Sequence, residues 1–222
     1  MMDDQVPLQS YAEEIRSLIQ NERNDEALAL CKHVLRYYPK HIETYRLAAE
    51  ATMESGDPIG AQEIFRRVLG ADPEQVVAHA GLAVIFQQER QPTEALWHLE
   101  RANELAPTNL EIRQELLRLY GEVEDQPRAR LKLTPAGLAR LYAQEGLYAQ
   151  AIHEFRAVVD SDPNRFDARV GLAETLWQAG KLREAAEVAL HLLDVLPYCL
   201  KANLILGATY SETGLSEADT YL

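Results

Sequence analysis

Six histidines (His33, His41, His79, His98, His153 and His191), two cysteines (Cys31 and Cys199) and 35 acidic residues are the groups from which this 222-residue chain could build a reaction centre or a metal site. Either use demands fixed spacing, because ligands and proton carriers must converge on one atom. No two histidines form HxxxH or HExxH, and none stands near a cysteine at metal spacing. GxGxxG, the phosphate-loop GxxxxGK and the nucleophile motif GxSxG are absent from the sequence. The histidines are expected at the surface or between helices, and the cysteines as small apolar fillers. The abundant acids are explained by solvated helix faces. The chain is expected to be non-catalytic, with no cofactor, no metal and no catalytic residue.

Hydrophobic residues make up 47% and charged residues 26%, the balance of a folded globular protein. No apolar run reaches the roughly 18–20 residues that cross a bilayer, so no membrane insertion is expected. The start, MMDDQVPLQS, lacks a basic segment followed by an apolar one. With only two distant cysteines, the expected location is cytoplasmic. Net charge is −13, with 21 acidic against 12 basic residues through Glu122 and 14 against 10 after it. Such a field repels nucleic acid and anionic lipid and favours neutral, apolar or basic partners.

The elements that position these residues repeat. Pro39, Pro73 and Pro107 lie 34 residues apart, and so do Pro163 and Pro197. An alanine stands 12 residues before each: Ala27, Ala61, Ala95, Ala151 and Ala185. Further upstream comes a small residue suited to close helix contact: Ala49, Ala83, Ala139, Ala173 and Gly207. Phe86, Tyr142, Leu176 and Tyr210 follow most of these by three, and Phe65 and Phe155 follow Ala61 and Ala151 by four. Apolar residues recur at helical spacing, as in Leu96, Leu99, Ala102 and Leu105. Turns such as SGDP, EGLY and AGKL divide each unit in two, and the proline stops its second helix.

This pattern resembles the tetratricopeptide repeat over nearly the whole chain. The repeats run 8–41, 42–75, 76–109, 132–165 and 166–199, with an incomplete one from 200. No tryptophan holds the fourth position, and Glu14 stands where the first repeat should carry a large apolar residue. The resemblance implies an all-α right-handed superhelix of about a dozen antiparallel helices. Two short helices bury too little surface alone, so stacked neighbours share one core.

The period breaks between Pro107 and Pro163. Residues 109–121 form an amphipathic helix (Leu110, Ile112, Leu116, Leu117, Leu119 and Tyr120 against charged neighbours). Leu117 is too large for the small-residue contact, and no second helix with its alanine follows. Helix 109–121 is therefore expected to close an N-terminal array over residues 1–122. Residues 123–133 would link it to a C-terminal array over 134–222; the alternative is one superhelix with a bulging insertion. Thr134 and Pro135 are a helix start. Arg128, Arg130 and Lys132 alternate with apolar residues, as suits an extended segment that either links the arrays or touches an acidic surface.

In the family the first helices line a concave groove where ligands bind. Carried over by register, the candidate groove residues are Gly81, Val84 and Gln88, then Gly137, Arg140 and Gln144, then Gly171, Glu174, Trp177 and Gln178. The family's clamp for C-terminal carboxylates needs Lys, Asn and Arg at particular lining positions, and these are absent. Gly81, Gly137 and Gly171 share one position, although glycine costs roughly 1 kcal/mol inside a helix. Either a ligand backbone or a neighbouring helix needs the room. Gln88, Gln144 and Gln178 could bond an extended peptide or merely solvate helix ends. Trp177 would anchor a ligand or pack on the next repeat; Trp97, on a second helix, is expected to be structural. The expected function is a scaffold binding a protein or peptide segment. The alternatives are self-assembly by end stacking into a homo-oligomer, and a regulatory array of a larger enzyme.

Overall fold

A computed structural model describes residues 7–124, 130–213 and 221 of the chain. Among these residues all regular structure is helical. The helices are α1 (Leu8–Gln20), α2 (Asn24–Tyr37), α3 (Ile42–Glu54), α4 (Pro58–Ala71), α5 (Val76–Gln88), α6 (Pro92–Leu105), α7 (Leu110–Glu124), α8 (Pro135–Gln144), α9 (Tyr148–Ser161), α10 (Phe166–Gln178), α11 (Leu182–Val195) and α12 (Leu200–Thr213). Successive helices pack as antiparallel neighbours in the right-handed superhelix that the period implies, except at the break, where α8 packs on α6 instead of α7.

The turns inside the helix pairs share one device. Glu22, Gly56, Arg90, Gly146 and Gly180 each sit at positive φ, between 58° and 85°. Three are glycine, which adopts this region freely. Glu22 and Arg90 adopt it at a cost of about 1–2 kcal/mol each. Prolines open α4, α6 and α8, where a missing N–H leaves nothing unpaired. Thr134 caps α8 by accepting from the Gly137 N–H at 3.1 Å, so the helix restarts where the Thr-Pro pair predicts.

Close approach of the paired helices depends on the in-phase alanines. Ala27, Ala61, Ala95, Ala151 and Ala185 are all fully buried, as are Ala49, Ala139 and Ala173. A larger side chain at any of them would hold two helices apart. The buried apolar residues form three clusters: one from α1 to α3, one from α3 to α7, and one from α8 to α12. Helix α7 closes the second cluster with Ile112, Leu116, Leu119 and Tyr120. Leu131 packs against that same cluster, whereas Leu133 is exposed. Arg130 and Lys132 are exposed in a stretch with no helix or strand; Arg128 lies outside the described residues.

The recurring glycines divide by mechanism. A Cβ on Gly81 would meet the Phe65 ring at 2.5 Å, and one on Gly171 would meet the Phe155 ring at 2.6 Å. In both cases the phenylalanine belongs to the second helix of the preceding repeat, so the missing side chain makes room for the neighbouring repeat. Gly137 has no such partner. Its Cβ would touch Leu133 at 3.2 Å and the capping Thr134 hydroxyl at 3.3 Å. Gly171→Ala should therefore cost about 1–3 kcal/mol by overpacking against a buried ring. Adding Phe155→Leu to the same chain should recover part of that loss, measured as the urea unfolding midpoint.

Candidate functional site

By the repeat register, α3, α5, α8, α10 and α12 are the first helices of their repeats and carry the candidate lining positions. Along α5, Val84 and Gln88 are exposed and Gly81 is buried. Charges here neutralise one another locally. Arg46 is held by Glu43 and Glu50, and Gln87 bonds Glu115 and Arg118 on α7. On the later helices Gln144 and Gln178 are exposed, Gly171 is buried, and Trp177 is half-buried against the third cluster. Trp177, Gln178, Gly180, Leu182 and Glu212 line an open depression of about 320 Å³. The Trp177 indole N–H is buried with no hydrogen-bond partner among the described residues.

Arg140 is mostly buried and Glu174 partly exposed, and both are already paired with other side chains. The turn between α4 and α5 meets α8 and α12 through the Glu74 side chain. Glu74 of that turn pairs through one carboxylate oxygen with Arg140 and through the other with Lys201, at 2.7 Å. Lys201 also reaches Glu174 at 2.7 Å. Behind this contact Arg140 donates to Asp167 at 3.0 Å, and Arg165 grips Asp167 with two bonds of 2.9 Å. Arg165 continues to Glu104 at the end of α6, which also accepts from the Thr134 hydroxyl at 2.7 Å.

Seven charged side chains from α6, the 72–75 turn, α8, α10 and its leading turn, and α12 thus form one network across the break. Burial alone would raise the Asp167 carboxyl. The hydrogen bonds and positive charge of Arg165, with Arg140 beyond, outweigh burial and hold it well below the ordinary carboxylate range. Glu74 likewise holds the Lys201 ammonium above its ordinary value against the opposing effect of burial.

Two histidines sit beside the network. The His79 Nε2 lies 3.1 Å from the Pro73 carbonyl, and its Nδ1 lies 3.0 Å from His98 Nδ1. A carbonyl only accepts, so His79 carries its proton on Nε2 and His98 donates from Nδ1. His98 stacks on Phe86. Burial pushes His79 down to about 4 and His98 down to about 3, where the neighbouring His79 adds to the effect. Both rings are neutral at pH 7. Among the described residues no cluster of three or more His, Cys, Asp or Glu could hold a metal ion, and no helix is long and apolar enough to cross a membrane.

A model of the tetratricopeptide repeat family matches residues 18–85 and 142–197, more than half of the chain. The chain belongs to the tetratricopeptide repeat family. The unmatched middle contains the break. Over 98 residues the chain is 32% identical to the Homo sapiens protein O-mannosyl-transferase TMTC3, a match covering 44% of this chain and 11% of that protein. It is also similar to the solved structure of YrrB, titled as a TPR protein with an unusual peptide-binding site, at 22% identity and a TM-score of 0.44, covering 86% of this chain and 88% of that one. A structure of Naa15/Naa10 bound to HypK is similar over 96% of this chain and 30% of that one, at 15% identity and a TM-score of 0.48.

Within this tetratricopeptide chain, register reasoning found Arg140 and Glu174 but not the residues they serve. Glu74, Glu104, Arg165 and Lys201 went unmarked. Arg165 carried a signal: the same final position of the other repeats holds His41, Gln75, Asn109 and Cys199. A long cation there is a departure from the repeat.

Asp167→Asn should cost about 3–5 kcal/mol, because it leaves Arg165 buried with less countercharge; urea unfolding near pH 7 measures this. The histidines set an acid limit. Unfolded imidazoles take protons near 6.5, while the folded ones resist down to about 4 and about 3. Stability is therefore full above pH 6.5 and falls as pH drops toward 4. His98→Phe should lose less stability than the parent between pH 7 and about 4.5, read from the shift in urea midpoint.

Proposed function

We propose that this protein is a non-catalytic scaffold in which two tetratricopeptide arrays, residues 1–122 and 134–222, are joined by the 123–133 linker and bind a protein or peptide segment on the concave face. The repeat fold is that of protein-interaction scaffolds and is typically non-catalytic. The observation that carries the proposal is the depression formed by Trp177, Gln178, Leu182 and Glu212. An aromatic wall and Leu182 suit an apolar side chain, and Glu212 suits a basic one beside it. The partner is thus a segment pairing an apolar residue with a neutral or basic neighbour.

A second reading has one observation in its favour. The 98-residue match to a protein named as a mannosyl-transferase is compatible with a repeat array carried by a larger enzyme. In that case the concave face would hold a regulatory or substrate segment by the same contacts.

Affinity purification from the native host tests the main reading. Trp177→Ala and Glu212→Lys, made separately, should each lose the partners retained by the parent while keeping its helical circular dichroism. Retention of the same partners by both variants would rule out the depression as the docking point.

A further inference from the structure

Arg140 on α8 and Lys201 on α12 come from repeats separated by the whole of α10, yet they bind the two oxygens of one carboxylate, Glu74. By the repeat register both occupy lining positions of the concave face. Glu74 belongs to another part of the chain, 66 residues from Arg140 and 127 from Lys201. It projects from a turn, Asp72-Pro73-Glu74-Gln75, not from a helix face. The turn is itself fixed: the Asp72 carboxylate accepts from the Glu74 N–H at 3.1 Å. An acidic side chain at the tip of a short turn, received by two cations at lining positions of the repeat register, is the arrangement a bound acidic segment would have.

We infer that Arg140 and Lys201 form a carboxylate-receiving site on the concave face of helices α8–α12, that Glu74 occupies it as a resident ligand, and that an acidic segment of a partner protein enters by displacing Glu74. The contact is autoinhibitory. A tethered competitor acts at an effective concentration on the order of millimolar, so a free acidic segment of ordinary affinity is excluded until the turn withdraws. The position that Glu74 fills supports this occupant over a basic one, because it lies between two cations. With Glu74 withdrawn, Arg140, Lys201 and Arg165 face Asp167, Glu174 and Glu104. The two cations nearest the vacated position then lack the carboxylate that joins them. This site involves neither Trp177 nor Glu212 and does not depend on the depression those residues line.

The test uses the full chain and one probe, a peptide of the chain's own turn, residues 70–77 (GADPEQVV), with blocked termini and a rhodamine label. Binding is followed by fluorescence anisotropy. Glu74→Ala should bind the probe about tenfold more tightly than the parent, since the resident competitor is gone and the competent fraction rises. A probe with glutamine in place of its glutamate should show no such gain. Adding Lys201→Ala to Glu74→Ala should return affinity to the parental level. Equal probe affinity for Glu74→Ala and the parent, with unchanged circular dichroism, would overturn the inference. If Glu74→Ala loses its helical spectrum, Glu74→Gln, which keeps the side-chain volume, decides by the same comparison. The glutamate and glutamine probes carry the same label, so any contribution of the Trp177 depression cancels in their comparison and its failure leaves this outcome intact.

Discussion

Everything in this molecule rests on how closely neighbouring helices can approach. A helix of about 13 residues is marginal alone, and a pair buries little more. The pair becomes stable when its two axes close down on a side chain no larger than methyl and the next pair covers what remains. That is why Ala61 and Ala151 have no exposure, and why Phe65 and Phe155 lie directly on Gly81 and Gly171. The helix-breaking cost of each glycine is local. The phenylalanine it admits buries an aromatic ring between two repeats, an effect of about 1.5–3 kcal/mol from area alone.

The break follows from the same constraint. Gly137 occupies the lining position of Gly81 and Gly171, but counting back to where Phe65 and Phe155 stand gives Gly121. No aromatic ring comes down on Gly137, because the second helix that should carry it is missing. Helix α7 instead seals α6 with Ile112, Leu116 and Leu119, and α8 begins a new apolar cluster. With no continuous core across the join, the geometry between the two parts is set by polar contacts. Glu104, at the end of α6, bonds both the cap of α8 and Arg165 ahead of α10. Buried ion networks add little net stability compared with apolar packing, but they are unforgiving of misalignment. Here one fixes the angle at which the later helices return over the earlier ones.

This division explains what could be read from the sequence. The helix pairs, their turns and the Thr134 start are local consequences of residues within one repeat, and a 34-residue period exposes them. The shared glycine position was also visible, though its two causes were not, since they differ only in whether a phenylalanine precedes. The pairing of Glu74 with Arg140 and Lys201 had no periodic signal, because it depends on the path of the chain through the break. Only Arg165 carried a signal that could have been read, as a cation where other repeats place a shorter residue. Groove register named Arg140 and Glu174 but treated them as open to a partner, when both are already paired with other side chains.

An occupied concave face changes what net charge means for this protein. An overall charge of −13 argues for basic or neutral partners at long range, where the summed field steers encounter. Within contact distance the relevant charge is that of a few groups screened from water. Arg140 and Lys201 gather carboxylates there against the sign of the whole surface. Much of the concave acid is itself committed: Glu43 and Glu50 hold Arg46, and Glu174 holds Lys201. Glu212 remains exposed at the rim of the Trp177 depression. On the proposed reading these lining positions are largely neutralised and leave two points of entry. One is the apolar hollow beside Trp177 with Glu212 at its edge. The other is the Arg140–Lys201 pair, whose present occupant, Glu74, belongs to the chain itself.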